Sequence, residues 1–240
     1  MKSKALLIAA AALAAGVIAT QAQSSVYSQN IVGYVNVPET AGGYSLEAAP
    51  LDLDGTGTNN TLATLFPNPA VNDNVFLYSG GNWVTYSYIV HTVHGVSSTN
   101  WYSGGVVAAS TPVNPGQGYF YNAAVNETNT YVGQVLGVSG VLTNQFVAAA
   151  NGYSVVSSQV PVAGGLTSVL GYNPNLNDNV FVYSNGSYLT YSYITHTVHA
   201  VTTTNWYSGG VVSQPVINVG QSFWLNPAAT TTWSETLTNL

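Results

Sequence analysis

The chain has 240 residues, of which lysine and arginine together supply only two, against eight aspartate and glutamate residues. Binding to nucleic acid or to an anionic membrane depends on lysine and arginine to neutralise phosphates, so the composition excludes both classes of partner. Cysteine is absent, so no disulfide can stabilise the fold.

The first 22 residues are typical of a secretory signal peptide. Lys2 and Lys4 form a positive start, residues 5–19 are a continuous apolar run, and Thr20-Gln21-Ala22 supplies the small residues that a signal peptidase reads. The run is too short for a stable membrane span. We therefore expect cleavage after Ala22 and a secreted chain, in the periplasm, at the cell surface or outside the cell.

The remaining sequence predicts strands almost throughout, and it repeats itself. Residues 72–107 reappear at 177–212 with 27 of 36 positions identical. Segments rich in Val, Ile, Thr and aromatic residues alternate with Gly, Asn, Pro and Ser clusters, which is typical of sandwiches and barrels. We predict an all-β protein of two tandem antiparallel units, sandwich-like or small and barrel-like, at 23–145 and 146–240.

Four elements are predicted in the same order in both copies: a leading Val/Gly strand, an opening strand, a long hairpin and an aromatic strand. The opening strands are offset by 109 residues and the hairpins by 105, so the first copy carries four extra residues, around 52–57. We expect the units to pack with approximate two-fold or translational symmetry. The leading strands are 31–35 and 131–135, the opening strands 43–46 and 152–155, and the aromatic strands, each with the Gly-led turn that precedes it, 115–122 and 219–226.

The hairpin gives the strongest local signal. Residues 75–78 and 83–90 flank Gly80-Gly81, and the second copy has Asn185-Gly186 at the same place. Both dipeptides tolerate the positive φ that a two-residue turn requires. The two copies therefore differ in sequence at the turn but meet the same backbone requirement.

These motifs resemble a module of secreted bacterial proteins. The resemblance rests on the Gly-Tyr-Ser-Leu opening at 43–46, the aromatic hairpin, the Gly-Gln-Gly-Tyr-Phe strand at 116–120 and the closing Tyr-Val-Gly-Gln-Val strand at 131–135. The tandem arrangement is similar to exported proteins of planctomycete and verrucomicrobial type bacteria. The resemblance implies an extracellular β-module and carries no catalytic residues.

Each hairpin contains a His-Thr-Val-His motif, with His91 and His94 in the first copy and His196 and His199 in the second. Residues three apart on an extended strand point to opposite faces unless a bulge intervenes. A transition metal needs three or four converging ligands. We therefore favour one half-buried, hydrogen-bonded histidine and one solvent-facing histidine per copy over a metal site.

Asp52-Leu53-Asp54-Gly55 suggests a calcium loop, because alternating carboxylates followed by glycine can wrap a hard cation. An EF-hand frame would place Pro50 at the first ligand and Thr61 at the bidentate position, and neither can serve. The second copy lacks the motif. We favour a polar turn, with calcium bound by Asp52 and Asp54 as the alternative, and we expect no other cofactor.

The Asn-Asp-Asn motif occurs at 72–74 and again at 177–179. Asp73 and Asp178 would form an acid/base pair for glycoside hydrolysis if the fold brought them to the right separation. Asn and Asp side chains more commonly shape turns by bonding to their own backbone. No Gly-x-Ser-x-Gly elbow, cysteine nucleophile or nucleotide-binding glycine loop is found. We predict no enzymatic activity, with a hydrolase using these aspartates as the minor alternative.

Tyr, Ser, Gly, Asn and Thr dominate the polar positions, as they do in recognition surfaces. The identical segments Trp101-Tyr102-Ser103-Gly104-Gly105 and Trp206-Tyr207-Ser208-Gly209-Gly210 are interpreted as two equivalent loops. Aromatic residues of β-proteins more often fill cores and cross-strand pairs, which is the alternative. The candidates for stacking on sugar rings are Trp101, Tyr102, Trp206, Tyr207, Trp83 and Tyr188.

We therefore predict an exported, non-catalytic β-repeat protein with a structural or interaction role at the cell surface or in the extracellular matrix. Low charge reduces repulsion between copies, and strand edges rich in Thr, Asn and Tyr can pair with neighbours. The expected partners are further copies of the chain or an extracellular polysaccharide. The alternative function is a carbohydrate-binding module that stacks sugars on the Trp101 and Trp206 loops.

Overall fold

The structure, a computed structural model, describes residues 31–138, 140–144 and 150–235. The predicted signal peptide lies outside the described residues. Within them the chain is all-β apart from one short helix, with two six-stranded antiparallel sheets and three two-stranded sheets. The predicted fold class, two tandem sandwich-like antiparallel units, is confirmed. No helix in this part of the chain has the length and apolarity needed to cross a membrane.

Lobe 1 contains eight strands and one helical turn. They are β1 (Val32–Glu39), β2 (Tyr44–Ala48), α1 (Leu62–Leu65), β3 (Asn74–Ser79), β4 (Asn82–Val93), β5 (Val96–Ser103), β6 (Val106–Val107), β7 (Gly118–Asn122) and β8 (Glu127–Gln134). The main sheet has the order β2-β7-β3-β4-β5-β6, and β1 pairs with β8. Alternate residues of β3 and β8 are buried, as expected when one face of a strand lies on a core.

Lobe 2 repeats this arrangement. Its strands are β9 (Leu142–Thr143), β10 (Ser154–Ser157), β11 (Gly164–Gly165), β12 (Asn179–Ser184), β13 (Ser187–Val198), β14 (Val201–Ser208), β15 (Val211–Val212), β16 (Val216–Ile217), β17 (Ser222–Asn226) and β18 (Ser234–Glu235). The main sheet has the order β10-β17-β12-β13-β14-β15, while β9 pairs with β18 and β11 with β16. The main sheets of the two lobes therefore share one strand order.

The hairpin predicted in each copy is confirmed. Strands β3 and β4 join through a two-residue turn, and β12 and β13 do the same. All four turn residues have positive φ, which gives the turn a twist that matches the twist of the paired strands. They are Gly80 (58°), Gly81 (85°), Asn185 (49°) and Gly186 (81°).

Each lobe has its own aromatic core beneath the main sheet. In lobe 1 the Phe66 ring centroid lies 5.1 Å from that of Tyr121 and 5.7 Å from that of Trp101. Tyr131 of β8 belongs to the same buried cluster, so the β1–β8 pair covers this core. In lobe 2 Trp233, beside β18, is completely buried and packs on Phe223 at 5.8 Å.

The predicted leading strand at 131–135 is placed differently by the structure. Tyr131 and its neighbours belong to β8, which pairs with β1 and closes lobe 1. The prediction was wrong because a leading strand and a closing strand have similar Val/Gly sequences. The two strands pair with each other, and the segment at 131–135 closes lobe 1. Strand β9 leads lobe 2 instead, since it pairs with β18. Strand β8 of lobe 1 ends at Gln134, and strand β9 of lobe 2 begins at Leu142.

The lobes meet through reciprocal backbone hydrogen bonds. The N–H of Ala48 donates to the C=O of Gly220 at 2.9 Å, and the N–H of Ser157 donates to the C=O of Gly116 at 3.1 Å. Ala48 and Ser157 hold equivalent places in the two copies, as do Gly116 and Gly220. The hydrogen bond from lobe 1 to lobe 2 is thus matched by an equivalent hydrogen bond from lobe 2 to lobe 1. A two-fold axis produces this reciprocal pattern, whereas a translation does not.

Replacing Gly118 by alanine is expected to destabilise this junction. A Cβ on Gly118 would lie 2.5 Å from Val155 Cγ1 and 2.7 Å from Ser222 Cβ, both in lobe 2. Overpacking of this kind costs about 1–3 kcal/mol. Urea denaturation of Gly118→Ala should show a loss of that size in the free energy of unfolding. Gly140→Ala, where a Cβ meets open space, is the control, and equal stability of the two variants would contradict the close approach.

Candidate functional site

The two Trp-Tyr-Ser-Gly-Gly segments are not exposed loops. Trp101 and Trp206 are 1% and 3% exposed, and they lie on β5 and β14 within the cores. Tyr102 and Tyr207 are buried as well. The hypothesis that these four residues stack on sugar rings is therefore wrong. The motif occurs twice because both cores need the same buried tryptophan.

The other two candidates, Trp83 and Tyr188, are exposed on the outer faces of the main sheets. They belong to a larger set, because five outer positions are aromatic in both lobes. We call these ten side chains the aromatic face. They are Tyr44, Phe76, Tyr78, Trp83 and Phe120 in lobe 1 and, in the same order, Tyr153, Phe181, Tyr183, Tyr188 and Trp224 in lobe 2.

Rings of the two lobes contact one another at the junction. The Trp224 centroid lies 4.7 Å from that of Tyr78 and 5.5 Å from that of Trp83. On the other side of the junction, the Phe120 and Tyr183 centroids are 5.2 Å apart. All three pairs are close to perpendicular, which is a preferred geometry for aromatic pairs. The aromatic face is therefore continuous from one lobe to the other.

The outer rings of the aromatic face remain accessible. Tyr44 and Tyr153 are more than half exposed, and Trp83 is 36% exposed. The indole N–H of Trp224 donates to the Tyr188 hydroxyl at 3.2 Å, which helps to fix both rings. An open groove of about 470 Å³ lies on the lobe 2 side of the face, lined by Tyr78, Tyr153, Phe181, Tyr188 and Trp224.

The residues that line this groove are all aromatic, and their polar groups are hydroxyls and one indole N–H. Binding sites for small ligands and single polymer units commonly combine apolar walls with a few polar groups that fix orientation. None of the five carries a charge near neutral pH. The groove is therefore suited to a neutral ligand with flat apolar faces and hydroxyl-bearing edges.

The histidines do not converge. His91 is half-buried against the Tyr102 ring at 5.0 Å, whereas His196 is exposed beside Tyr207 at 5.5 Å. His94 and His199 are exposed at the hairpin tips, where both have positive φ. The expected pair of one half-buried and one exposed histidine therefore occurs in lobe 1 but not in lobe 2. Among the described residues, no group of three or more His, Cys, Asp or Glu side chains is placed to hold a metal.

Asp73 and Asp178 are completely buried at equivalent places in two separate lobes. Asp73 accepts hydrogen bonds from the Tyr121 hydroxyl at 2.8 Å and from the backbone N–H of Ala70 and Ala124. Asp178 is held in the same way by one tyrosine hydroxyl and two backbone N–H groups. Both carboxylates fix turns out of reach of a substrate.

Asp52 and Asp54 lie together in lobe 1, in the segment 52–60 that contains the extra residues. Asp52 is completely buried and Asp54 is exposed. The Asn60 side chain holds the two ends of the segment together, because its oxygen accepts from the N–H of Leu53 at 2.7 Å and its NH₂ group donates to the C=O of Leu51 at 2.9 Å.

Sequence reasoning missed two glutamates that meet beside the cleft between the lobes. Glu39 and Glu47 are both buried, and their carboxyl oxygens lie 2.8 and 2.5 Å from the Ser45 hydroxyl. The Tyr131 hydroxyl donates to Glu47 at 2.6 Å. The adjoining cleft has a volume of about 330 Å³. The only signal in the sequence is that Glu39 and Glu47, two of the chain's eight carboxylates, lie just beyond the predicted strands 31–35 and 43–46.

Burial and the neighbouring Glu47 carboxyl raise the pKa of Glu39 from 4.5 to about 9. In lobe 2, burial raises the pKa of Glu235 to about 7. The folded chain therefore keeps protons on these groups at pH values where the unfolded chain has lost them. Folding stability falls as the pH rises from the unfolded pKa to the folded pKa of each group.

Glu39→Gln is expected to remove the pH dependence of stability between about pH 7 and pH 9. The amide mimics the protonated carboxyl, so the variant should become increasingly more stable than the natural chain across this interval. Thermal unfolding at a series of pH values measures the difference. Glu235→Gln is the matched control, because it should change the slope only below about pH 7. An unchanged slope in Glu39→Gln would show that this proton is not held by Glu39.

Comparison of the chain with protein-family models, with curated proteins and with solved structures finds no match.

Proposed function

We propose that the protein is an exported, non-catalytic interaction protein that binds a neutral polysaccharide on its aromatic face. The observation that supports this proposal is the continuity of ten aromatic side chains across the junction of two lobes, with outer rings that remain exposed. The predicted signal peptide supports action at the cell surface or in the extracellular matrix.

A polysaccharide fits the chemistry of this face better than other polymers. The C–H faces of sugar rings pack on aromatic rings, and tyrosine supplies rigid area together with a hydroxyl that can bond to sugar hydroxyls. An anionic polymer would need cationic side chains, and the only two in the chain are Lys2 and Lys4 in the predicted signal peptide. The ligand is therefore an uncharged glycan.

Aromatic rings also serve to hold lobes together, and the inner rings of the face do so. The ring contacts between lobes are made by Tyr78, Phe120, Tyr183 and Trp224, which are only partly exposed, and by Trp83, which contacts Trp224. The rings of Tyr44, Tyr153 and Tyr188 lie outside these contacts and are the more exposed. We assign ligand stacking to these outer rings, since a purely structural cluster has no need to keep them uncovered.

Loss of two outer rings is expected to weaken glycan binding without unfolding the protein. The mature chain, residues 23–240, is tested for retention on a panel of insoluble neutral polysaccharides. A combined Tyr153→Ala and Tyr188→Ala variant, which removes two rings that line the groove, should be retained roughly tenfold less tightly or worse, because each ring contact contributes about 1 kcal/mol.

The matched control is Val106→Ala with Val211→Ala. These valines are equally exposed at equivalent positions, but they lie at the opposite edge of each main sheet. The control should bind as the natural chain does. If no glycan is retained, or if the double aromatic variant is retained as well as the control, the proposed function is wrong.

Self-association is a second candidate function, and a different feature favours it. Each main sheet extends into a two-stranded ribbon, formed by residues 89–100 in lobe 1 and 194–205 in lobe 2. Strand β3 pairs with β4 only as far as Ser87, and β6 pairs with β5 only at its end, so the outer edges of ribbon 89–100 pair with no other described strand. Both ribbons are mostly exposed.

Such ribbons favour pairing with further copies of the chain. A two-stranded ribbon is only marginally stable in water when it stands alone. Free strand edges are a template for pairing, and natural proteins usually protect them with lysine or other charges. These ribbons carry neither Lys, Arg, Asp nor Glu, and Val90, Val96 and Val201 are more than half exposed on them.

Lysine substitutions on the ribbons are expected to prevent association. The natural mature chain should increase in mean mass with concentration when it is followed by light scattering. Val96→Lys combined with Val201→Lys should remain monomeric, because like charges then meet at each ribbon contact. Val125→Lys, an exposed valine outside the ribbons, is the control and should associate like the natural chain. A natural chain that stays monomeric at every concentration excludes this candidate.

A further inference from the structure

A second feature of lobe 1 points to a ligand that is independent of the aromatic face. The segment 52–60, here called the Asp52 loop, has no counterpart in lobe 2, because the first copy carries four additional residues at this place. Gly55 and Gly57 have positive φ, at 82° and 77°, which folds the loop back on itself. The loop packs against the end of β8, where the backbone of Asp52 pairs with that of Gln134.

The Asp52 carboxylate at the base of this loop is incompletely satisfied. Its side chain is completely buried. One oxygen, Oδ2, accepts only a long hydrogen bond of 3.3 Å from the N–H of Asp54, and Oδ1 has no hydrogen-bond partner. A buried carboxylate in this condition destabilises a fold unless a cation compensates it. No lysine or arginine lies beyond residue 4 to do so.

Further oxygen atoms surround this carboxylate. Asp54 lies two residues on, is exposed, and accepts hydrogen bonds from Asn59 and Thr56. The side-chain oxygen of Gln134 comes from a different strand and lies against the Cα of Gly55 so closely that no Cβ would fit there. The Asp52 loop thus carries two carboxyl groups two residues apart, and a neutral amide oxygen from Gln134 lies against Gly55 of the same loop.

We propose that the Asp52 loop binds one calcium ion, with Asp52 and Asp54 as its charged ligands and the Gln134 side-chain oxygen as a neutral ligand. Calcium accepts six to eight oxygen ligands in irregular geometry, including carboxylate, amide and backbone oxygens and water. Magnesium demands nearly ideal octahedral geometry and fits an irregular loop less well. The site is not an EF-hand, because one ligand comes from outside the loop.

The first test is calcium binding to the natural mature chain, measured by isothermal titration calorimetry after chelator treatment. One calcium ion per chain is expected, since lobe 2 lacks the loop, with a dissociation constant of about 10⁻⁴–10⁻³ M, the range of extracellular calcium modules. Because calcium would bind only the folded state, millimolar calcium should raise the thermal unfolding midpoint. Magnesium at the same concentration should raise it less.

The second test separates this site from general charge effects. Asp54→Asn removes a charged ligand from an exposed position and keeps a hydrogen-bond acceptor, so the variant should fold and bind calcium at least tenfold more weakly. Glu127→Gln, which changes a partly exposed carboxyl group elsewhere in lobe 1 to an amide, should bind calcium as the natural chain does. The absence of saturable binding, a stoichiometry of two, or equal affinity of Asp54→Asn and the natural chain would overturn the proposal.

Discussion

Six of the eight carboxylates of this chain are buried, and no lysine or arginine follows residue 4 to pair with them. A buried carboxyl group must therefore be held by hydroxyls and backbone N–H groups, keep its proton or, as proposed for Asp52, bind a cation. Asp73 and Asp178 are held by hydrogen bonds, each from one tyrosine hydroxyl and two backbone N–H groups. Glu39, which lies next to Glu47, keeps its proton because its pKa is raised. The tyrosines thus serve as polar partners within the cores as well as apolar bulk.

The same constraint separates the two lobes chemically, although their sheets share one strand order. Lobe 1 contains the carboxyl pair at the cleft and the Asp52 loop, and lobe 2 has neither. The aromatic face belongs to both lobes, because its central contacts all run from one to the other. Recognition is accordingly proposed for the shared surface, and calcium binding for lobe 1.

The structural features that depend on neighbouring residues were predicted correctly from the sequence. The all-β class follows from composition and turn spacing, and the hairpins follow from Gly80-Gly81 and Asn185-Gly186, where positive φ is a local requirement. Features that depend on contacts between residues far apart in the chain were harder to predict. Identity between the copies at Trp101 and Trp206 suggested a shared binding role, yet it reflects a shared core.

The better signal for the aromatic face was partial similarity between the copies. Trp83 and Tyr188 differ in kind but remain aromatic, as do Phe120 and Trp224. A packed core restricts shape, whereas an open face requires only a ring, so such differences are tolerated there. The contact of Glu39 with Glu47 had no comparable signal, because neither residue has a glutamate at the matching place in lobe 2.

The contact between Gly118 and Ser222 depends on a difference between the two copies. These residues occupy the same position in the two copies, and they face each other across the two-fold axis at a distance that leaves no room for a second Cβ. In a homodimer of identical subunits, serine would collide with serine, and glycine would leave a gap opposite glycine. Within one chain the two copies can differ at this position, so one carries glycine where the other carries serine. Identical subunits related by a two-fold axis could not approach in this way.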